Sequence, residues 1–599
     1  MILANANVAL NKYSFILVLF LINTSRALSG VKPPRIVIVG GGVGGLATAA
    51  RIASSSVDCE VIILEKNTCV GGRCASFNVE TVHGVFRHER GPSLLLLKEI
   101  YSNLFLDCSN KKAEDYGLSL TQCIPAYQVV FDDGDCIELG FPERKSSSAA
   151  EQSSRHKMEE YEVGGASKWD EYMQATSAFL DCGLPNFIEE SFSLSTFPAF
   201  LREALRNFGK AWPLKPHSDV LDAFFSSTKM RSLAAFQNLY VGLEPYRNDK
   251  EIGGGVIRNT APAVFGLLAA IELHPSNKNA GVFAPIGGFQ AVTNAMERLA
   301  VDHGVKIQCA ATVKKIDTQG VHYSTADDTD EGSSYLPADL VLINADLPFA
   351  TETILSTYPS QYDRYDWDDR FDYSSGVIAF HWSLDVELTA LNTHNVFLVA
   401  ETREKARASW RVLRGEKSKS KRQDELFFEP FNFYVHRASK VDPTAAPDGC
   451  DAVLILVPCP TLQRNKDLAK LPRDEALAAY QQQFNDALVA QAREAVLRRL
   501  SVIKSLVDLE KHIVHEIVDT PVTYARQYNV AAGTPFALSH GFGQLSLTRP
   551  GAESSSHPNV LFVGASSRPG NGVPLVLIGA KLVAEKVKER LEKIKQQKE

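Results

Sequence analysis

Three glycines at fixed spacing, an acid downstream and an arginine after it are the residues of this chain best suited to hold a dinucleotide. Gly40, Gly42 and Gly45 satisfy G-x-G-x-x-G, a spacing that makes a tight turn, brings backbone N–H groups to a pyrophosphate and lets a helix lie close on a strand. The unpaired N–H groups and the macrodipole at that helix's N-terminus favour anionic charge. Glu65 stands about 20 residues past the last glycine, where a carboxylate accepts a ribose hydroxyl and disfavours a 2′-phosphate. Gly71-Gly72-Arg73 follows closely and places a cation near the pyrophosphate.

These residues need a strand–turn–helix–strand unit to position them, and the local sequence supplies one. Arg35-Ile-Val-Ile-Val39 is a branched apolar run that reads as a buried parallel strand. Ala47, Ala49, Ala50 and Ala53 are small enough for a helix to approach the sheet, and Cys59-Glu-Val-Ile-Ile-Leu64 is a second strand ending at Glu65. Glycine-rich chemistry returns near the other end. Val560-Leu-Phe-Val-Gly564 reads as a strand, 565–572 as a loop ending at Gly572, and the run from Val573 and Pro574 to Ile594 as a helix. Both ends of the chain are therefore expected to meet on one cofactor.

With 599 residues, 45% of them hydrophobic, the chain can bury a large core and form more than one structural unit. A net charge of −7 gives no reason to expect nucleic acid. Ten cysteines show no C-x-x-C pair or histidine spacing, so they read as reduced structural thiols, with neither a disulfide framework nor a metal site. At the N-terminus Lys12 precedes the apolar run Phe15–Ile22, and Ser25-Arg26-Ala27 offers a small-x-small cleavage pattern. The run is shorter than the ~20 residues a bilayer span needs, so residues 1–27 read as a targeting signal. Because the cysteines lack a secretory pattern, delivery to a plastid membrane is the expectation, with association with an endomembrane as the alternative.

Between the ends, Gly91-Pro92-Ser93 opens on four leucines, Leu94 to Leu97, expected to start a helix, and Tyr127–Phe141 reads as a hairpin turning at Asp132-Asp133-Gly134. Residues 144–160 and 403–422 read as solvated insertions. The region 165–285 has a helical pattern; Phe197, Phe200, Leu201, Leu205 and Phe208 recur at helical spacing against Arg202, Arg206 and Lys210, a pattern for a membrane surface or for core burial. Helix 290–301 precedes strands at 304–308, 311–316 and 338–346, which are expected to rejoin the first sheet.

Taken in order, these segments resemble the bacterial and fungal type of phytoene desaturase, within the wider carotenoid desaturase and isomerase flavoproteins. The likeness spans nearly all of 35–590 and is most specific at Gly91-Pro-Ser-Leu-Leu-Leu-Leu97, Phe433-Tyr-Val435 with Asp442-Pro443 and Ala445-Ala-Pro447, Tyr524-Ala-Arg-Gln-Tyr-Asn529, and Gly564-Ala-Ser-Ser-Arg-Pro-Gly-Asn-Gly-Val-Pro574. It implies an α/β fold: a Rossmann-type FAD domain built from 35–125, 285–350 and 520–592. A mixed α+β substrate domain from 126–284 and 351–519, with a helical membrane-facing region, is inserted into it. It implies FAD held by Gly40, Gly42, Gly45, Glu65 and Arg73, with Gly564, Gly572 and Val573 against the flavin, and a carotenoid polyene drawn from membrane lipid. It also implies an external electron acceptor that the sequence does not identify, as it does not identify an oligomeric state.

The resemblance makes Glu89, Arg90, Arg526, His540 and Arg568 the catalytic candidates. His540 is the best proton acceptor by intrinsic pKa. Glu89-Arg90 and Arg568 depart from the family's usual residues, and two cations near the flavin edge would favour an anionic reduced flavin. That motivates an alternative to desaturation, a cis–trans isomerase or hydratase acting with no net redox change. A carotenoid carrier without catalysis is a third expectation, opposed by the intact Gly40–Arg73 grip.

Overall fold

The computed structural model describes residues 32–142, 148–183, 198, 202, 215–246, 260–274, 281–325, 334–355, 366–414, 426–427, 431–464, 467–468, 471–545, 548–554 and 556–598. The expected signal at 1–27 and all but two residues of the amphipathic stretch 197–212 lie outside them.

A run of branched side chains with no polar alternation suits a strand covered on both faces. Arg35–Val39 forms that strand at the centre of a five-stranded parallel sheet. The order is Val560–Phe562, Leu340–Ile343, Arg35–Val39, Glu60–Leu64, Lys306–Gln308. Successive residues face opposite ways. Ile36, Ile38, Val61 and Ile63 pack with Leu46, Val292 and Leu577 from the helices Val43–Ala53, Phe289–Asp302 and Val573–Lys598. Val37, Val39, Ile62 and Leu64 pack on the other side with Phe349, Ile354 and Leu538.

The expected strand at 311–316 does not join this sheet. Ala311–Ile316 pairs antiparallel with Gly320–Thr325, which pairs with Ser334–Pro337. Lys314 and Lys315 are exposed in it, and a strand with two exposed cations cannot lie inside a sheet covered on both faces.

A second sheet has seven strands in the order Ile513–Asp519, Gly376–Leu384, Asp451–Cys459, Phe433–Arg437, His394–Leu398, Tyr127–Phe131, Cys136–Leu139. All neighbours are antiparallel except His394–Leu398 with Tyr127–Phe131. The last two strands are the expected hairpin, closed by Gly134 at φ +83°. One face packs on the helices Arg473–Gln481 and Asp486–Leu500, the other on Gly165–Gly183, His217–Phe224, Thr228–Ala235 and Leu267–Leu273.

Three local expectations give way. Leu94–Leu97 precede the helix, which runs Lys98–Ser109; Leu95 instead bridges Phe283, with N–H···O bonds of 3.0 and 2.9 Å. The helix Ala149–Tyr161 takes up most of the expected insertion at 144–160, because Ser148 accepts the Glu151 N–H as an N-cap and Met158 is buried. Arg403–Ala408 is likewise helical, capped by Thr402. No described helix is long and apolar enough to cross a membrane.

Candidate functional site

The C-terminal edge of the parallel sheet opens on a cavity of about 640 Å³. Gly40, Gly42 and Gly44 line one end. Gly42 ends the turn with no side-chain cap, and the helix Val43–Ala53 starts at the cavity wall, which Val43 and Gly44 line. Side chains have no room here. A Cβ on Gly45 would lie 2.2 Å from the Gly40 carbonyl oxygen, and one on Gly44 2.5 Å from Asn344 Nδ2. Gly40 itself has φ +102°, which glycine alone adopts without strain.

Glu65, 5% exposed, accepts from the Gly41 N–H at 2.7 Å through one carboxylate oxygen and from the Asn67 N–H at 2.8 Å through the other. The same carboxylate thus shapes the glycine turn and lines the cavity. Arg73 lines it too, donating from Nη1 to the Pro535 carbonyl at 2.7 Å. Burial pulls its pKa down and the Asp346 carboxylate opposes that. Gly564, Gly572 and Val573 close the site from the C-terminal side, where a Cβ on Gly44 would stand 3.0 Å from Val576. The two chain ends meet at this cavity.

Asn344 and Asp346 are absent from the sequence-based candidates. Asn344 donates from Nδ2 to the Val563 carbonyl at 2.9 Å, joining two strand ends beneath the glycine turn. Asp346, 8% exposed, accepts from the Ala531 N–H and from Ser566 Oγ, both at 2.9 Å. The signal for both was their place at the carboxyl end of the strand Leu340–Ile343, the edge at which open α/β sheets bind ligands.

Of the five catalytic candidates only His540 lines the cavity. Its Nε2 accepts from the Asn571 N–H at 3.3 Å, which puts the ring proton on Nδ1. Burial and the Arg549 guanidinium hold its pKa well below the ordinary histidine value. It is a neutral imidazole and a much weaker base than its intrinsic pKa implies. Glu89, 3% exposed, accepts from Ser76 Oγ at 2.7 Å and from the Phe289 N–H at 3.0 Å, at the start of the helix Phe289–Asp302. Burial raises its carboxyl despite these bonds. Arg90 is held by Asp519 at 2.9 Å with its guanidinium 4.1 Å from the Phe77 ring centroid. Arg526 is exposed on the outer side of the helix Pro521–Tyr528, whose Tyr524, Gln527 and Tyr528 line the cavity. Arg568 is exposed and donates from Nε to the Arg549 carbonyl at 2.9 Å. The two cations expected at a flavin edge are tied up elsewhere.

Away from the glycine turn the lining changes character. Leu94, Leu96 and Leu97, Val264, Phe265, Leu267, Leu268 and Ile271, with Val377, Leu456 and Phe536, form apolar walls. The polar lining groups that remain there include Ser93, Tyr434 and Glu272. Glu272 was not legible as a site residue; it sits in the apolar run Leu267–Leu273 as a lone acid.

Residues 38–107 match the NAD(P)-binding Rossmann-like domain. The phytoene desaturase of Neurospora crassa is 30% identical over 565 residues, covering 93% of this chain and 85% of that one. The zeta-carotene-forming phytoene desaturase of Myxococcus xanthus is 30% identical over 561 residues, covering 92% and 93%. An oxidoreductase structure from Methanosarcina mazei superposes with a TM-score of 0.51 at 16% identity, over 92% of this chain and all of that one. Fungal and bacterial sources argue against the plastid expectation. A carboxylate at the second strand's end, an open helix N-terminus and glycines with no room for a Cβ fit a dinucleotide in this cavity, and this chain belongs to the phytoene desaturase family of FAD-dependent oxidoreductases.

Proposed function

We propose that the chain desaturates a long carotenoid polyene, taking it into the apolar part of the cavity while FAD occupies the glycine-turn end. The observation that carries this reading is the change of lining within one cavity, from glycine turn, Glu65 and Arg73 to leucine, valine and phenylalanine walls. FAD, when bound, supplies the hydride acceptor, and the removed proton passes to solvent or a base. The chain's own share is binding and alignment. Gly42 to Gly45 and Arg73 would face the pyrophosphate and Glu65 a ribose hydroxyl. Gly564, Gly572 and Val573 would border the flavin. Two apolar walls align a rigid chain of double bonds and exclude water. His540, neutral, shapes the boundary between the two ends through its contact with Phe265, ring centroids 5.8 Å apart.

The substrate's insolubility supports uptake from a lipid surface, the membrane-facing role assigned to the inserted region. The test is anaerobic: the FAD-loaded chain with phytoene in liposomes, followed by absorbance and mass. Loss of two mass units per step with flavin bleaching is the expected result, and a product of unchanged mass, or one water heavier, would overturn it. Isomerase and hydratase readings rested on Arg90 and Arg568, neither of which lines the cavity.

Glu65→Ala deprives the Gly41 and Asn67 amides of their acceptor as well as the ribose of its own. Hydrogen bonds to a charged group contribute about 1.5–3 kcal/mol, so a rise in the Kd for FAD of at least about tenfold is expected. Flavin fluorescence titration of the apoprotein measures it.

A further inference from the structure

Glu272 is the buried group that desaturation of a hydrocarbon does not use. It lines the cavity, is 1% exposed, and neither carboxyl oxygen makes a hydrogen bond of good geometry. Tyr127 and Gln237 lie beside it and favour the charged form, but burial outweighs them and raises the pKa to about 8. At neutral pH it is mainly a carboxylic acid, able to donate through its O–H and accept through its carbonyl. Tyr434 is near enough to sense its charge. The Tyr434 hydroxyl is in turn bonded to Ser93 Oγ at 2.9 Å and His394 Nδ1 at 2.7 Å.

Position adds to this. Phe265 touches His540 beside the C-terminal loop, and Glu272 lies in the helix Leu267–Leu273 that follows, whose Leu267, Leu268 and Ile271 line the cavity with it. An all-hydrocarbon ligand lying there would leave the carboxyl desolvated and poorly bonded, an arrangement that costs free energy. A ligand with an oxygen at its terminus would complete it.

We propose that Glu272, with Tyr434 near it and Ser93 bonded to Tyr434, is a hydrogen-bonding seat for an oxygen-bearing end group, so that the preferred polyene carries a hydroxyl at one terminus. This rests on the polyene reading of the cavity and narrows its substrate class. A site built to bond a hydroxyl discriminates strongly against the analogue that lacks it.

The test uses the FAD-loaded full chain with two polyenes of equal length, a hydrocarbon and its terminal-hydroxyl analogue, supplied in liposomes. Binding is read by fluorescence quenching, separately from turnover. Wild type is expected to bind the hydroxylated polyene at least about tenfold more tightly. Glu272→Leu should abolish the preference, raising the KM for the hydroxylated polyene, while Glu272→Gln keeps most of it. Equal binding of both polyenes by wild type would overturn the proposal. So would a Leu variant that loses kcat on the hydrocarbon, which would place Glu272 in the chemistry instead. Flavin content checks the fold, and if the Leu variant fails to hold FAD, Tyr434→Phe takes its place, with the same loss of preference expected. Preferential binding without oxidation of either polyene would sink the desaturase reading and leave the seat standing. Oxidation of both without preference would do the reverse.

Discussion

Gly45→Ala is expected to purify with at least about tenfold less flavin per polypeptide than wild type, and to melt at a lower temperature. The added Cβ would stand 2.2 Å from the carbonyl oxygen of Gly40, roughly 1 Å inside ordinary van der Waals contact. Neither partner can yield cheaply. Gly40 follows the central strand of the parallel sheet and its N–H is bonded to the Leu64 carbonyl at 2.8 Å. Gly45 lies in the first turn of a helix whose other face is locked under the C-terminal helix. Overpacking of this kind costs about 1–3 kcal/mol, and relief comes by lifting the helix from the strand, which moves the N–H groups that would face the pyrophosphate. Gly551→Ala is the control, since nothing lies within 4 Å of its Cβ. Flavin released on denaturation, counted per chain, gives the readout. Full flavin content in Gly45→Ala would refute the close-packing argument.

Asp451→Ala is expected to lower stability by about 3–5 kcal/mol, the range for removing one partner of a buried ion pair, with Arg437 left to Glu387 at the surface. Arg437 and Asp451 are 1% and 0% exposed and meet at 2.8 Å in the seven-stranded sheet. Asp451 also accepts from the Leu388 N–H at 2.5 Å and from Ser439, while Arg437 donates to the Leu391 carbonyl at 3.1 Å and to Glu387 at 2.9 Å. The pair therefore ties two strands to the loop 385–391. Its net contribution is smaller than the cost of breaking it, because desolvating both ions offsets most of their attraction. Arg437→Met with Asp451→Leu should accordingly recover most of what Asp451→Ala loses. Denaturant midpoints for the three proteins, measured with saturating FAD, decide the matter. A double variant no better than the single one would mean the hydrogen bonds to the loop outweigh the charge pairing.

What was legible in the sequence was local. Arg35 to Arg73 announces itself because glycine spacing, branched strand residues and a terminal acid all lie within one continuous stretch. The Gly564 to Val573 loop was legible for the same reason. The fate of charged side chains was not. Arg90 finds Asp519 and Phe77, Glu89 finds the Phe289 amide, and Arg568 finds the Arg549 carbonyl, and no local pattern encodes the first and third of these pairings. His540 was judged by its intrinsic pKa, whereas burial sets the actual one. The helix at 149–161 could have been read from Ser148 and Glu151, a serine cap with an acid three residues on. Asp442-Pro443, noted only as part of a resemblance, proves to hold Arg87 at 2.6 Å and the Gly287 N–H at 2.7 Å, which explains that stretch structurally.

The parallel sheet also has a consequence for biosynthesis. Its central strand, Arg35–Val39, emerges early, but its edge strand, Val560–Phe562, is separated from it by almost the whole chain. At about 5–20 residues per second, the first strand waits on the order of a minute for the sheet to be completed. The 26-residue helix Val573–Lys598, which covers Leu46 and the alanine face of the first helix, is made later still. The cofactor cradle is thus assembled only once both of these distant segments have been made. Until then an apolar helix face and an unpaired strand edge stay open to other nascent chains, so the yield of folded protein should depend on how long a chaperone shields the first forty residues of the fold.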